Sequence, residues 1–460
     1  MGIIRTRYSV IICLLLTGNA VSGQTFELMR YDENYLFLKD SVRNTYTSLK
    51  YIPLSKSGSG YPYLSLGGEI RAEYDHVRNE DWGENGLGTD PYFTARAHIH
   101  TDWQLHRRIR LFAQLRSAQE DGRINGPRPI DEDRLNIQNL FIDLTPYRSG
   151  SKAATLRLGR QEVDYGSGRL ISVQDGPNAR LYFDGAKIMY RATGITIDAF
   201  VLASARVLPG VFDNVTLKKP GLWGGYSTLS FAKAGALDLY YIGFQGEKLE
   251  YEEGIGNEQR HTFGFRLWRK GKGFNHNLEA AWQSGSFGNR IIQAWTGSID
   301  IAYRFAGISG QPLAGLRNDY ISGDRSPDDG KLETFNPMYP KAGYFGFNPQ
   351  LGPVNLIDIH PYFTWNTGSK VMLTFDMVFN WRFSLKDGVY RPNGRFSTGS
   401  RGSDKRYIGT VLLTGVEWQI SKFFAFNSGV QYFKTGTFIN DIIPVHRDGF
   451  FMSYQASYKF

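Results

Sequence analysis

Apolar and polar residues alternate with a period of two along most of the chain, from residue 61 to residue 460. In one segment Leu373, Phe375 and Met377 are separated by Thr374 and Asp376. Such alternation predicts β-strands with one apolar and one polar face. The alternating segments run for ten residues or more, whereas strands are usually about five or six residues long. Tilted strands that cross a membrane need about 9–11 residues, so the pattern favours transmembrane strands.

The alternating segments and the gaps between them predict both a strand count and an orientation. We predict eighteen strands, near residues 61–75, 92–105, 107–118, 134–145, 153–163, 180–191, 194–204, 223–233, 236–246, 260–270, 275–285, 294–306, 312–323, 354–367, 369–386, 405–420, 422–435 and 448–460. The gaps alternate between long ones, such as 164–179, 247–259 and 324–353, and short ones, such as Gly368 and Ser421. Outer-membrane barrels have long external loops and short periplasmic turns, and this pattern matches.

A sheet in lipid has to close on itself, because lipid cannot satisfy the free N–H and C=O groups of a sheet edge. The sequence therefore predicts an all-β fold: a closed transmembrane antiparallel β-barrel of about eighteen strands, with short periplasmic turns and long extracellular loops. A barrel of this size encloses an aqueous channel rather than a packed core. The expected location is the cell outer membrane, which the chain would cross many times.

The first sixty residues precede the alternating region. Residues 1–23 have the features of a secretory signal peptide, with Arg5 and Arg7 ahead of a short apolar run and small residues at the end. Residues 24–60 are too few for a folded plug domain, and we predict that they form a periplasmic or lumen-lining segment. Residues 61–460 are assigned to the barrel.

Composition narrows the class further. Aromatic residues make up 15% of the chain and glycines number 52, which suits a barrel with aromatic girdles and bent strands. The net charge of +9 is a mild excess for 460 residues, and it does not indicate a nucleic-acid partner. The single cysteine, Cys13, lies in the predicted signal, so disulfide and thiolate chemistry are not expected.

The last strand carries a local signal of its own. Apolar residues alternate along it up to Phe460. A terminal strand of this kind, ending in Phe, resembles the signal read by the outer-membrane insertion machinery, which is therefore an expected partner. In a soluble protein such a strand would be an exposed edge and would promote aggregation.

The same alternation predicts which side chains face the lumen. The predicted solute path consists of Arg71, Arg96, Arg110, Arg116, Arg157, Gln161, Arg266, Arg304 and Arg382. Arginine is always charged and binds carboxylates through a planar fork, and rings of arginine can make a pore anion-selective. The alternative is that each arginine pairs with a carboxylate of the wall. For a single arginine we favour that structural role, and for the set we favour a role in solute passage.

The sequence offers no catalytic site. It contains no His-Glu-x-x-His motif, no phosphate-binding glycine loop and no clear nucleophile motif. His98 and His100 share a strand face, but two histidines without a third ligand are a weak metal signal, and we interpret them as solvated wall residues. No metal, cofactor or enzymatic activity is expected, although an outer-membrane hydrolase remains a distant alternative.

Several motifs resemble the bacterial alginate export porins. The motifs are Gly67-Gly68-Glu69-Ile70-Arg71-Ala72-Glu73-Tyr74, Leu158-Gly159-Arg160-Gln161-Glu162-Val163-Asp164-Tyr165-Gly166-Ser167-Gly168-Arg169-Leu170, Phe183-Asp184-Gly185 preceded by Arg180, Ser322-Gly323-Asp324, and Phe335-Asn336-Pro337-Met338-Tyr339-Pro340. The resemblance implies an eighteen-stranded monomeric barrel with an electropositive constriction. It also implies passive secretion of a uronic-acid polysaccharide.

Five charged residues near the second motif are expected at the mouth and its loop: Arg160, Asp164, Arg169, Arg180 and Asp184. The loop residues are expected to fold into the mouth as paired charges. Arg160 shares the parity of leucines that should face lipid, so we expect it either at the interface or beside a bulge that reverses the side chains.

These observations leave four functions open. The first is an anion-selective pore that exports an acidic, alginate-like polysaccharide, and the second is a general or uptake porin for small acidic solutes. The third is the outer-membrane hydrolase, and the fourth is an adhesin or structural barrel with working loops. Outer-membrane lipid, an anionic polysaccharide or small acidic solute, and periplasmic export proteins are the expected partners.

Overall fold

A computed structural model describes residues 26–55, 58–84, 86, 88–217, 219 and 221–460. The predicted signal peptide, residues 1–23, lies outside the described residues. The fold is the predicted one, a closed antiparallel β-barrel of eighteen strands. The last strand pairs with the first, with Arg71 opposite Ser457, and this pairing closes the barrel.

The barrel strands are numbered in chain order. They are β1 (Tyr63–Arg78), β2 (Thr89–His106), β3 (Ile109–Asp121), β4 (Asp133–Ser149), β5 (Lys152–Gln161), β6 (Phe183–Ala192), β7 (Ile195–Arg206), β8 (Leu222–Ser230), β9 (Ala236–Tyr251), β10 (Gly254–Arg269), β11 (Gly273–Phe287), β12 (Arg290–Arg304), β13 (Leu313–Ile321), β14 (Leu356–Asn366), β15 (Val371–Arg382), β16 (Tyr407–Gln419), β17 (Phe424–Thr435) and β18 (Gly449–Lys459). Each strand pairs with its neighbours in the chain, as in an up-and-down barrel.

Few other elements occur in the described residues. The α-helices are α1 (Thr45–Lys50) and α2 (Thr437–Ile442), and the 3₁₀ turns are Arg30–Asp32, Leu36–Asp40, Glu80–Gly83, Ala232–Ala234 and Ala342–Tyr344. Short strands outside the barrel wall are Ile52–Pro53, Val215–Thr216, Lys331–Leu332, Val389–Tyr390 and Phe396–Thr398. No helix within the described ranges is long and apolar enough to cross a bilayer.

The two faces of the wall follow the alternation in the sequence. Outward-facing residues such as Phe375, Met377 and Leu412 are 45%, 38% and 43% exposed. In water so large an apolar surface would be costly, but in lipid it is favourable. Inward-facing residues are mostly polar, as the alternation predicts.

The connections distinguish the two ends of the barrel. At one end, here called the turn end, the connections are short, as at residues 107–108 and 193–194. At the other, the loop end, they include long segments such as 162–182 and 322–355. The prediction of a loop over 247–259 is wrong, because β9 and β10 stay paired until Tyr251 opposite Gly254, with a bulge after Gly246.

Two long connections fold inward and contact each other inside the barrel. The connection 162–182 meets the connection 322–355 where the Ser172 amide donates to the Tyr339 carbonyl at 2.9 Å and the Tyr339 amide donates to Leu170 at 2.9 Å. Buried apolar residues of these connections include Val163, Leu170, Ile171, Phe335, Met338, Leu351 and Val354. They fill part of the lumen, so the passage is much narrower than the barrel.

The segment that precedes β1 also lies inside the barrel. The ring of Tyr31 packs against Phe112 and Phe141 on the inner face of β3 and β4, with ring centres 5.9 and 5.3 Å apart. The Tyr31 hydroxyl donates to the Glu162 carbonyl at 2.6 Å. Residues 26–55 therefore narrow the lumen on the side of the first strands.

This segment also bridges the pair of strands that closes the barrel. The Arg30 guanidinium donates to the Gly68 carbonyl at 2.8 Å and to the Phe460 carbonyl at 3.0 Å. Lys50 Nζ donates to the same Phe460 oxygen at 3.0 Å. A Cβ atom on Gly67 would lie 2.3 Å from Lys50 Nζ, so glycine at 67 leaves room for the ammonium group in this position.

A buried carboxylate joins two connections at the loop end. The Asp387 carboxylate, in the connection after β15, accepts from Thr334 Oγ1 at 2.6 Å and the Asp324 amide at 2.9 Å, both in the connection after β13. It also accepts from the Tyr390 hydroxyl at 2.6 Å. Burial raises the pKa of Asp387 from its ordinary value of 3.8 to about 6.

We expect the packing of these loops to weaken between about pH 4 and pH 6. An acid whose pKa is raised in the folded state stabilises that state at low pH and loses this contribution as the pH rises, here by roughly 2–3 kcal/mol. Hydrogen exchange of residues 383–406, corrected for intrinsic rates, should show less protection at pH 7 than at pH 4.5. Asp387→Asn should flatten this profile, whereas Asp404→Asn, at an exposed carboxylate of the same connection, should keep it. A wild-type profile in Asp387→Asn would contradict the assignment.

Candidate functional site

The space left in the lumen forms distinct chambers. The long chamber, about 610 Å³, runs along β15–β18 and β1. It is bordered at the loop end by Asp81 and Arg391, and it reaches the level of Glu417 near the turn end. Its wall also carries Glu73 and Asp75.

The basic chamber, about 620 Å³, lies against β10–β14 and the adjoining faces of β15 and β16 at the turn end. Its cationic lining residues are Arg266, Arg269, Lys270, Arg304, Arg317 and Lys341, and its carboxylates are Asp300 and Asp376. Aromatic side chains stand among them, with the Arg317 guanidinium 4.8 Å from the Tyr344 ring centre and 5.7 Å from that of Tyr362.

The two chambers meet at the connection after β13, where Gly343, Gly346 and Phe347 line both. A third cavity of about 280 Å³ lies beside the basic chamber and shares Gly166 with it. Its charged lining residues are Asp32, Arg157, Asp164, Lys187, Arg191 and Asp198.

The charges without ion-pair partners differ between the chambers. Among the described residues, Arg269, Lys270, Arg304 and Lys341 of the basic chamber form no ion pair, and Arg304 donates only to the Gln311 carbonyl at 3.2 Å. In the long chamber the acidic residues Asp75 and Glu417 form none, and Glu73 lies 3.8 Å from its nearest cation, Arg71. Arg128 and Arg391 of the long chamber are paired with Asp131 and Asp81, at 2.6 and 2.9 Å. The unpaired charges of the basic chamber are therefore positive, and those of the long chamber are negative.

Most of the predicted lumen arginines lie on the inner face but are bound to wall carboxylates. The pairs are Arg96–Glu69 at 2.8 Å, Arg110–Asp102 at 2.7 Å, Arg157–Asp143 at 2.7 Å, Arg266–Asp238 at 3.0 Å and Arg116–Asp133. Such pairs satisfy buried charge and fix the wall. Their role in solute passage stays a prediction, and of the predicted set Arg157, Arg266 and Arg304 border one of the three cavities described above.

Three further residues of the predicted path have structural contacts instead of a free side chain in the lumen: Arg71, Arg382 and Gln161. Arg71 donates to the carbonyls of residues 175–177, the closest being Asp175 at 2.9 Å. Arg382 is fully buried and donates to four carbonyls of the connection after β15, including Ser403 at 2.8 Å. Gln161 is also fully buried.

Of the predicted loop charges, Arg169 and Arg180 are paired inside the lumen, whereas Asp164 forms no ion pair within the described residues. Arg180 contacts Glu162 at 3.0 Å, and Arg169 reaches across to Asp319 of β13. Burial opposes ionisation of Asp175, but Arg96 and Arg180 outweigh burial and hold the pKa of this carboxyl well below its usual range. Burial raises the pKa of Asp164, which accepts only from the Val173 amide at 3.3 Å.

Arg160 and Asp184 lie on the outer face of β5 and β6, where they form a bidentate pair at 2.8 and 3.0 Å. The Thr216 side chain, from a short strand outside the wall, donates to the same carboxylate. The register between β5 and β6 is unbroken, with Gln161 opposite Phe183, so no bulge reverses Arg160 there. The outward charge of Arg160 is accommodated by its ion pair with Asp184 and by the short strand that carries Thr216, and not by a reversal of its side chain.

The histidines expected to be solvated are buried, and that expectation is wrong. His98 and His100 are 1% and 2% exposed, and His100 stacks on Phe112 with ring centres 5.4 Å apart. The segment before β1 covers this part of the wall. Within the described ranges no three His, Cys, Asp or Glu side chains are grouped to hold a metal.

Sequence reasoning predicted Arg304 but missed the other three unpaired cations of the basic chamber, Arg269, Lys270 and Lys341. Arg317, which lies 3.5 Å from Asp300, was also missed, although it follows the inward parity of β13 and the alternation could have identified it. Arg269 and Lys270 lie at the turn end, where the alternation stops, and Lys341 lies in a long connection. No periodic signal identifies residues in such positions.

The shape of the barrel is shared with solved structures. OccD3 (OpdP) of Pseudomonas aeruginosa aligns with a TM-score of 0.59 at 11% identity, over 90% of this chain and 93% of its own. OpdO of Pseudomonas aeruginosa gives 0.58 at 12% identity, over 86% and 97%. OccAB4 of Acinetobacter baumannii gives 0.57 at 11% identity, over 86% and 98%. Identities this low show the fold alone.

Sequence comparison is more specific. A comparison with curated protein sequences finds no significant match. The sequence profile described as "Alginate export" matches residues 62–452, nearly the whole barrel. With the closed barrel and its lumen chambers, this match shows an outer-membrane channel, and the chain belongs to the alginate export family.

Proposed function

We propose that the protein is a passive channel for acidic solutes, and that its main cargo is an acidic, uronate-type polysaccharide that leaves the periplasm through it. The observation that carries this proposal is the basic chamber, in which four cations without ion-pair partners stand beside Tyr344 and Tyr362. Membership of the alginate export family supports the choice of cargo.

The chemistry of the basic chamber suits a carboxylated sugar. A cleft lined by one sign of charge concentrates ions of the opposite sign, and arginine binds a carboxylate through paired hydrogen bonds. Tyrosine rings offer flat apolar faces with a polar edge, which can pack against a sugar ring. The wall thus provides partners for both the charged and the uncharged parts of a uronate.

The uptake of small acidic solutes is the second candidate. The volume of the basic chamber, about 620 Å³, falls in the range of sites that hold small molecules, roughly 300–1,000 Å³. A polymer would have to occupy the chambers a few residues at a time. The length of solute that the channel holds therefore separates the two candidates.

We expect oligogalacturonates to block the current of single channels in planar bilayers, and neutral malto-oligosaccharides of equal length to block far less. The block should weaken as salt rises, because salt screens the attraction. Affinity that increases from dimer to hexamer would favour a polymer, and affinity that is already maximal for the monomer would favour small solutes. Equal block by charged and neutral sugars would contradict both candidates.

A double variant tests the site itself. Arg304→Gln combined with Lys341→Gln removes two unpaired cations from the basic chamber and should weaken the block about tenfold or more. Lys331→Gln removes an exposed cation from a connection at the loop end, outside all three chambers, and is the matched control. Unchanged block in the double variant would mean that the basic chamber does not bind the solute.

A further inference from the structure

The basic chamber borders the turn end of the barrel, whereas the long chamber begins at the loop end and extends to the level of Glu417. The lining of the basic chamber includes Arg269, Lys270 and Gly271, at the turn between β10 and β11. The lining of the long chamber includes Asp81 and Arg391, in connections of the loop end. If the short turns face the periplasm, as in outer-membrane barrels, the basic chamber is the one a periplasmic solute meets.

The junction between the chambers is built around one aromatic ring. Phe347 lies over Gly415 of β16 and Gly429 of β17, where an added Cβ atom would come within 2.9 Å of the ring at either position. The two glycines therefore make room for Phe347 on the wall. Since Phe347 lines both chambers, a solute that leaves the basic chamber toward the loop end passes this ring.

The charges on the two sides of this junction have opposite signs. Arg269, Lys270, Arg304 and Lys341 are unpaired on the basic side. Toward the loop end, on β1, Asp75 is unpaired and Glu73 is only weakly paired; these two carboxylates are here called the acidic wall. At about 0.1 M salt the electrostatic attraction or repulsion acts over roughly 10 Å. An anion that arrives from the loop end therefore meets the acidic wall before it comes within range of the cations.

We infer that the channel captures polyanions from the periplasmic end, with the basic chamber as the docking site and the acidic wall as a barrier against capture from outside. The inference rests on the proposed function and adds the side of the membrane from which the solute is captured. Net flux through a passive channel still follows the concentration gradient. The capture rate, however, depends on the charges that a solute meets first from each side, and the unpaired charges that line the two chambers differ in sign.

The test uses single channels of the whole protein and hexagalacturonate added to one side at a time in about 0.1 M salt. A cysteine introduced by Asp328→Cys, at an exposed position of the loop end, accepts a large maleimide and thereby identifies the outer side. The only other cysteine, Cys13, lies in the predicted signal. We expect the association rate of block to be at least about tenfold higher from the periplasmic side.

Charge variants should move the two rates separately. Arg304→Gln with Lys341→Gln should lower the periplasmic rate, and Glu73→Gln with Asp75→Asn should raise the rate from the outer side. Lys331→Gln should change neither. Equal rates from both sides in the wild type would overturn the inference while leaving the proposed function intact, whereas no block from either side would defeat the proposed function as well.

Discussion

Replacement of Arg169 by alanine is expected to raise the single-channel conductance several-fold and to make it noisy. Arg169 fastens both inward connections to the wall: its guanidinium donates to Asp319 of β13, to the Tyr344 hydroxyl at 2.6 Å and to Thr296 Oγ1 at 3.0 Å. Without it, the connection 162–182 loses its attachment to β12 and β13.

The size of the effect follows from the carboxylate that is left behind. Asp319 is fully buried, and its amide donates to the facing Asp358 carboxylate at 3.2 Å. Removing one partner of a buried ion pair costs about 3–5 kcal/mol, because the remaining charge is uncompensated. That cost can be reduced if water reaches Asp319, which requires the inward connections to move away from the wall.

Two variants make this result specific. Arg169→Lys keeps the charge but loses the planar fork, so its conductance should lie between those of the wild type and Arg169→Ala. Arg325→Ala breaks an ion pair with Glu333 in which the arginine is 64% exposed, and exposed pairs contribute little, so its conductance should match the wild type. Wild-type conductance in a folded Arg169→Ala channel would show that Arg169 does not hold the connections.

Arg30→Ala is expected to destabilise the whole barrel, by about 3–5 kcal/mol in urea unfolding. Arg30 is buried, pairs with the buried Glu33 at 2.6 Å, and donates to carbonyls on both strands of the closing pair, at Gly68 and Phe460. The variant leaves the Glu33 carboxylate without its cation and the closing pair without this bridge. The folded band in unheated electrophoresis should also disappear at a lower temperature.

The double variant Arg30→Ala with Glu33→Ala should recover part of the stability, because it also removes the uncompensated carboxylate. Arg43→Ala is the matched control, since Arg43 lies in the same segment and donates only to the Tyr51 carbonyl at 3.2 Å. If Arg30→Ala unfolds at the wild-type urea concentration, the segment before β1 does not stabilise the closing pair.

The alternation of side chains was enough to predict the barrel, its eighteen strands and the two faces of its wall. The reason is local: successive residues of a strand point to opposite sides, and lipid on one side with water on the other imposes a strict pattern on each residue. Phe375 and Asp376 show the rule, since the first faces outward and the second borders the basic chamber. Where strands continue past the alternating segments, as at Tyr251 and Gly254, the predicted boundary was wrong.

The alternation did not predict which charges inside the lumen are paired. Arg116 and Lys341 are both cations, yet Arg116 is buried against Asp133 whereas Lys341 borders the basic chamber without an ion-pair partner. Parity predicts that Arg116 points inward, but it does not predict that a carboxylate of the neighbouring strand will pair with it. For Lys341, which lies in a long connection, parity predicts nothing.

By itself, then, the sequence determined the class of fold, the strand count and the side each strand residue faces, because these depend on neighbours one or two positions apart. Only the tertiary structure decided which charges are cancelled and which remain for a solute. That outcome depends on contacts between distant segments, such as Arg169 with Asp319 and Arg30 with Phe460. A charge attracts a solute only when no nearby partner neutralises it, and the partners are brought together by closure of the barrel and the folding of its loops into the lumen.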